Sequence, residues 1–180
     1  MEPLPLSRAF TWLEPGPVAL ITTHDGTRPN IMTITWTMVL DFGADFAITT
    51  GPWNHSWAAL TTRRECVIAI PGADFLDVAV GIGTCSGRDT DKFARFGLTA
   101  LPAGRVSAPL IEECLANIEC RVVEVLEPYG IVVLKGVAAH HDPLRAERRM
   151  LHAVGDGTFI ADGARFERRD AMREKLPGGL

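Results

Sequence analysis

Two β-branched runs lie close together near the start of the chain, Pro17-Val-Ala-Leu-Ile-Thr-Thr-His24 and Asn30-Ile-Met-Thr-Ile-Thr-Trp-Thr37, with Asp25-Gly26 between them. An Asp-Gly pair in that setting predicts a β-hairpin, because glycine accepts the left-handed backbone that tight turns require. More short β-rich runs follow, at 44–50, 65–70, 115–126 and 131–140, and each is bounded by Gly or Pro. Helical periods are few and short: 57–64 with Asn54 or Ser56 as the N-cap, 75–82, 93–96 and 145–152. Six or seven strands with a few intercalated helices predict a mainly β barrel decorated by helices. The second run alternates, with Ile31, Thr33, Thr35 and Thr37 on one face and Met32, Ile34, Trp36 and Met38 on the other. Such a threonine row suits either solvent or a polar ligand.

At 180 residues the chain fits one domain, with a charged tail after residue 165. Its net charge of −4 and lack of a basic run argue against a nucleic-acid partner. No stretch approaches the ~18 apolar residues of a membrane span. The first sixteen residues, broken by Pro3, Pro5 and Pro15, carry no cationic-then-apolar signal pattern. Cys66, Cys85, Cys114 and Cys120 form no CxxC pair and read as reduced thiols. A cytoplasmic location is expected.

Several catalytic motifs can be tested directly. Gly81-Ile-Gly83-Thr-Cys-Ser-Gly87 has Ser86 where a dinucleotide loop needs its third glycine, and a wholly polar segment follows it. There is no GxxxxGK[ST] loop and no GxSxG. His140-His141-Asp142 is the one cluster of metal-ligand type, but neighbours on a strand face opposite ways and no companion motif is present, so no metal is expected.

A more informative constellation is dispersed along the chain. It comprises Pro29-Asn30 opening a strand that ends in Thr35-Trp36, His55-Ser56 at a helix start, and Ser86-Gly87-Arg-Asp-Thr-Asp-Lys92-Phe93. Ala108-Pro-Leu-Ile-Glu112, Glu119-Cys-Arg121 and the strand glycine Gly136 complete it. In this order and at these spacings the chain resembles the flavin reductase-like, FMN-binding split-barrel family over residues 15 to 165.

The resemblance implies a six-stranded Greek-key split barrel with a few peripheral helices. It also implies a homodimer with one non-covalent FMN near the subunit interface. Carried over, Asn30, Met32, Thr33, Thr35 and Trp36 would line the flavin ring edge and ribityl chain. Ser56, beside His55 at a helix start, would take the phosphate, since free amides and the helix dipole favour an anion there. Lys92 with the Ser86-Gly87 turn would serve the same phosphate or the ribityl hydroxyls, and Phe166 or Phe159 would cover the ring. No catalytic residue is assigned. The implied activity is an NAD(P)H-dependent flavin reductase, with NADH or NADPH as hydride donor. The alternative is a flavoredoxin-like electron carrier reduced by a partner protein. One departure bears on that choice: the histidine that family members often carry here falls on Gly130 or Ile131, leaving His140 or His141 as substitutes from elsewhere.

Overall fold

The computed structural model describes residues 16–175, so the proline-interrupted N-terminus and the Pro177-Gly178-Gly179 end lie outside the described residues. The expected hairpin is present: β1 (Ala19–His24) pairs antiparallel with β2 (Pro29–Ile34). Its loop turns through Gly26 at φ +106°, and the Asp25 carboxylate accepts hydrogen bonds from the amides of Thr27 and Arg28. β3 (Thr37–Val39), β4 (Asp45–Thr49), β5 (Glu65–Ile70), β8 (Ala116–Leu126) and β9 (Ile131–His141) complete one antiparallel sheet. The strand order is β2-β1-β5-β8-β9-β4-β3. Its two end strands are consecutive in the chain, joined only through Thr35 and Trp36, so the sheet curls until its ends meet. Counting β2 and β3 as one kinked strand recovers the six strands that the resemblance implies.

Alternation along the strands builds two cores. Ala19, Ile21, Met32, Ile34, Ile48, Cys66, Cys120 and Leu134 face the barrel interior. α1 (Trp57–Arg63) adds Leu60 to that interior core. Leu20, Ile31 and Ala69 face outward into a second layer beneath α2 (Leu76–Thr84) and α3 (Lys92–Phe96), with Ala79, Ile82 and Phe93. At Gly136, β9 bulges against β8, because Glu119 pairs Ala138 while Cys120 pairs Gly136. A side chain there would press on Ala44 and Phe46, so a glycine suits the bend.

The small pair β6 (Ala100–Leu101) and β7 (Leu110–Ile111) brackets a loop lying on the outer face of the sheet. Two buried carboxylates hold that loop. Glu119 accepts from the amides of Gly104, Arg105 and Val106, and Glu65 accepts from Ser107 and Arg121.

One expected helix does not form. Residues 145–149 form no regular element, Met150 makes an isolated bridge to Gly72, and β10 (Leu151–Ala153) pairs with β11 (Phe159–Ala161). Leu151 and Ala153 enter the outer core while His152 lies between them, a period of two that outweighs the local helix preference. The tail carries one short helix, α4 (Arg169–Met172).

Candidate functional site

The loop after α2 and the start of β2 meet around a cavity of about 210 Å³. Local sequence explains how the loop is shaped. Ser86 folds a turn, its hydroxyl accepting from the Arg88 amide at 3.1 Å. Asp91 then N-caps α3 by accepting from Ala94 at 3.0 Å, which turns Lys92 inward at the first helical residue. Gly87 permits the closest approach: a Cβ there would lie 2.0 Å from Asn30 Oδ1. No side chain but hydrogen lets this loop lie against the Pro29-Asn30 strand.

Asn30 and Ser56 join across the cavity wall. Asn30 Nδ2 donates to Ser56 Oγ at 2.8 Å, and the Thr23 hydroxyl lies 3.2 Å from the same oxygen. Thr23 and Ser56 are both fully buried. Two hydroxyls sharing one hydrogen bond leave one proton without an acceptor among the described residues, and both side chains also line a second, adjoining cavity of about 120 Å³. A buried donor without an acceptor is costly, so the pair suits an anionic oxygen. Ser56 occupies the N-cap position of α1, but its hydroxyl caps no amide of that helix.

Lys92 is buried as well. Its ammonium donates to Ile31 O at 2.9 Å and Ile82 O at 2.7 Å, tying the β2 edge to the C-terminal turn of α2. Burial pulls its pKa below the ordinary lysine range, against a smaller opposing effect from Cys85. An ammonium has three donors, so one N–H remains for the cavity. Lys92 is thus more than the point charge that the resemblance implies, since most of its hydrogen bonding holds the wall together. Arg28 supplies a second cation, its guanidinium donating to Gly87 O at 2.7 Å and lining the smaller cavity. Asp25 also lines this cavity as an ionised carboxylate, held below the usual carboxylate range by the amides of Arg28 and Thr27, which both donate to Oδ1.

Past Thr33, Gly83 and Thr84 the polar cavity opens into a shallower groove of about 510 Å³, where Leu76, Val80 and Phe159 supply apolar walls. The whole recess is polar and cationic at one end and apolar at the other. Those are the demands of a planar ring joined through a hydroxylated chain to a phosphate, and the residues present fit FMN.

The structure brings most of the expected residues together. Asn30, Met32, Thr33, His55, Ser56, Ser86, Gly87 and Lys92 all line the polar cavity, and Thr35 joins Thr33 in the groove. The Thr33 hydroxyl is engaged by the helix, donating to Ala79 O at 2.6 Å, so the threonine row meets α2 rather than solvent. Trp36 and Phe166 do not join the recess. Trp36 lies in the link between β2 and β3, where the kink takes it off the inward alternation of Met32 and Ile34, and it is 56% exposed. Phe166 is 79% exposed in a hollow formed by the tail itself, and of the two candidate aromatics it is Phe159 that lines the groove.

Neither His140 nor His141 lines the recess. His140 Nε2 lies 2.9 Å from Glu119 Oε1 on the outer face of the sheet, away from the recess. Gly130 itself admits no side chain readily, with φ at +62° and Thr50 O only 2.7 Å from where a Cβ would sit. Among the described residues no group of three His, Cys, Asp or Glu side chains is placed to hold a metal.

Sequence reasoning missed Arg28 and Trp53. Arg28 stands two residues before Asn30, a signal that was legible. Trp53 is brought in by the turn after β4, and nothing in its spacing marks it.

A family model described as flavin reductase like domain matches residues 13–157. An uncharacterized Escherichia coli K12 protein, YddH, is 32% identical across 91% of this chain and 95% of its own. Among solved structures, flavoredoxin of Desulfovibrio vulgaris (Miyazaki F) superposes with a TM-score of 0.78 at 25% identity, covering 86% of this chain and 90% of that one. An FMN-binding domain of a flavin reductases-like enzyme from Shewanella baltica gives 0.75 at 21% identity, covering 92% and 95%.

Proposed function

The chain belongs to the flavin reductase-like family, and from that premise we propose that it binds FMN in the recess between β2, α2 and the 84–92 loop and acts as an NAD(P)H:flavin oxidoreductase. The observation that carries the reading is the buried Thr23–Ser56 hydroxyl pair, with one proton that has no acceptor among the described residues, beside Arg28 in the smaller cavity and next to the larger cavity that Lys92 lines. When bound, FMN supplies the redox chemistry, accepting hydride and passing electrons on. The chain's own residues do the rest. The hydroxyl pair and Arg28 bind the phosphate at the smaller cavity, and Lys92 lines the adjoining larger one, the two meeting at Asn30 and Ser56. Asn30, held by Ser56 and pressed by Gly87, orients the polar chain. Val80 and Phe159 keep water from the ring's apolar edge.

A second reading, an electron carrier reduced by a partner protein, is favoured by one observation: no protonatable side chain stands at Gly130. The purified protein is expected to be yellow and to release FMN, not FAD, on denaturation, with the apoprotein binding FMN at micromolar concentration. Release of FAD alone would refute the FMN reading. Steady-state oxidation of NADH and NADPH separates the two functions, since a yellow protein inert toward both donors is the carrier.

Assembly enters the same proposal. Trp36 and Met38, each more than half exposed on the outward face of the kinked strand, suit burial against a second copy. That strand also carries Thr33 and Thr35, so association and flavin retention would be coupled.

A further inference from the structure

We propose that the charged C-terminal arm, residues 163–175, docks on the uncovered outer face of β3, β4 and β9 in a second copy of the chain. The proposal rests on the assembly reading above and names the segment that joins the two copies. The arm begins where anchoring stops. Asp162 is held by Met150 and His152, but every residue from 163 to 175 is exposed. Among the described residues, the arm's ion pairs and hydrogen bonds run within itself or back to Asp162. It nevertheless carries Phe166 and Met172, both more than half exposed. Its charge also differs from that of the barrel. Arg165, Arg168, Arg169, Arg173 and Lys175 stand against Glu167, Asp170 and Glu174, in a chain whose net charge is −4. A cationic arm with apolar side chains fits a surface that is acidic and apolar.

Such a surface lies across four strands. The helices pack against β1, β2, β5 and β8, and the second core lies on that side of the barrel. On the other side Met38, Ala47, Val133 and Glu124 pair in register from β3 to β8, while Ile48, Leu134 and Val122 turn inward. Ile131 and Leu126 form the next row, alongside Trp36, whose carbonyl accepts from the Thr49 amide. The cations near this face are already engaged: Lys135 pairs with Asp45, Arg121 with Glu65, and Arg64 donates to Val123 O. Glu124 and, just past Leu126, Glu127 make no ion pair among the described residues. In the arm the surplus has the opposite sign, since Arg168 donates only to Glu167 O and Lys175 pairs with no carboxylate. Two free carboxylates beside an apolar strip thus match two free cations beside Phe166 and Met172. In a twofold pair each copy gives its arm and receives its partner's, so the contact closes at a dimer.

The test uses the full chain. In sedimentation the wild type is expected to be a dimer that dissociates more readily as salt rises, because its arm contacts pair exposed charges. Phe166→Ser combined with Arg168→Glu is expected to weaken that dimer by at least about ten-fold, within the range for burying one aromatic side chain. The unfolding temperature of that variant should not change, since both side chains are exposed in the single chain. Adding Glu124→Arg restores part of the loss by reversing the charge on the other side. Cross-linking identifies the contact directly. Phe166→Cys and Met38→Cys proteins, mixed under oxidised glutathione, are expected to form a disulfide-linked pair of chains that neither forms alone. A dimer indifferent to the changes at Phe166 and Arg168 overturns the docking. So does a chain carrying both cysteines that links only within itself. A wild type that is monomeric at micromolar concentration removes the assembly reading and the docking with it, whereas a dimer without the cross-link removes the docking alone.

Discussion

The Lys92 ammonium donates to two main-chain carbonyls from separate elements, and this governs what its removal does. Lys92→Met takes the partner from two buried acceptors at once, each costing about 1–3 kcal/mol when left unpaired. The variant is expected to unfold at markedly lower denaturant and to lose riboflavin and FMN affinity alike, because the wall itself shifts. A loss confined to FMN would show instead that the lysine acts mainly on the phosphate. Glu119 is a second residue of this kind. Burial pushes its carboxyl up, but His140 and the amides of Gly104, Arg105 and Val106 outweigh that and hold it below the usual range. Glu119→Gln puts an amide N–H among those donors, and a stability loss of about 1–3 kcal/mol is expected from chemical denaturation.

Turns between elements carry the tightest steric conditions. At Gly130, between β8 and β9, a side chain would have to adopt φ +62° and meet Thr50 O at 2.7 Å. Restoring the family's histidine there is therefore a structural change before it is a chemical one. Gly130→His is expected to destabilise the fold by about 1–3 kcal/mol, the scale of stored backbone strain, without raising NADH oxidation. Thermal unfolding and turnover measured on the same preparation check both halves. The loop after α2 behaves differently, because Gly87 has no positive φ and only Asn30 limits it. Gly87→Ala should leave the fold near its original stability and weaken FMN by at least about ten-fold, or about 1.4 kcal/mol, as the Asn30–Ser56 contact opens. Fluorescence titration against unfolding temperature separates those effects.

Across the whole molecule, depressed carboxyls dominate the acid response. The His152 hydrogen bond holds Asp162 low. For Glu65, burial opposes the hydrogen bonds from Ser107 and the charge of Arg121, which prevail. Together with Glu119, each is more acidic folded than unfolded. Their stabilisation is therefore complete above the unfolded carboxyl range, about pH 4–4.5, and is lost as pH falls through the folded values. Stability should be level above about pH 5 and decline below it, with a shallower acid limb in Glu119→Gln. Urea midpoints across pH 3–7 test this. Assembly is the other property of this scale. Sedimentation of Trp36→Glu protein is expected to show monomer with weakened FMN retention, whereas a flavin-saturated wild-type monomer at micromolar concentration would remove the interface from the model.

The local signals that survived folding were those tied to covalent geometry. Asp25-Gly26 marked a hairpin because its turn needs the conformation glycine allows, and alternation in 29–34 sorted Met32 and Ile34 from Ile31 and Thr33. The family resemblance that Asn30, Ser56, Ser86-Gly87 and Lys92 help to carry named most of the recess, although no local rule explains why these residues should meet. Tertiary structure decided the rest. The expected helix over 145–152 gave way to an irregular segment and the strand Leu151–Ala153 because Leu151 and Ala153 had a core to enter. Trp36 turned outward, the Thr33 hydroxyl went to Ala79, and Lys92 took two carbonyls as partners. A side chain's partner is set by what the closed sheet brings beside it, through contacts between residues dozens of positions apart. Sequence alone could nominate the residues of the site, but the assignment of each hydrogen bond waited on the barrel.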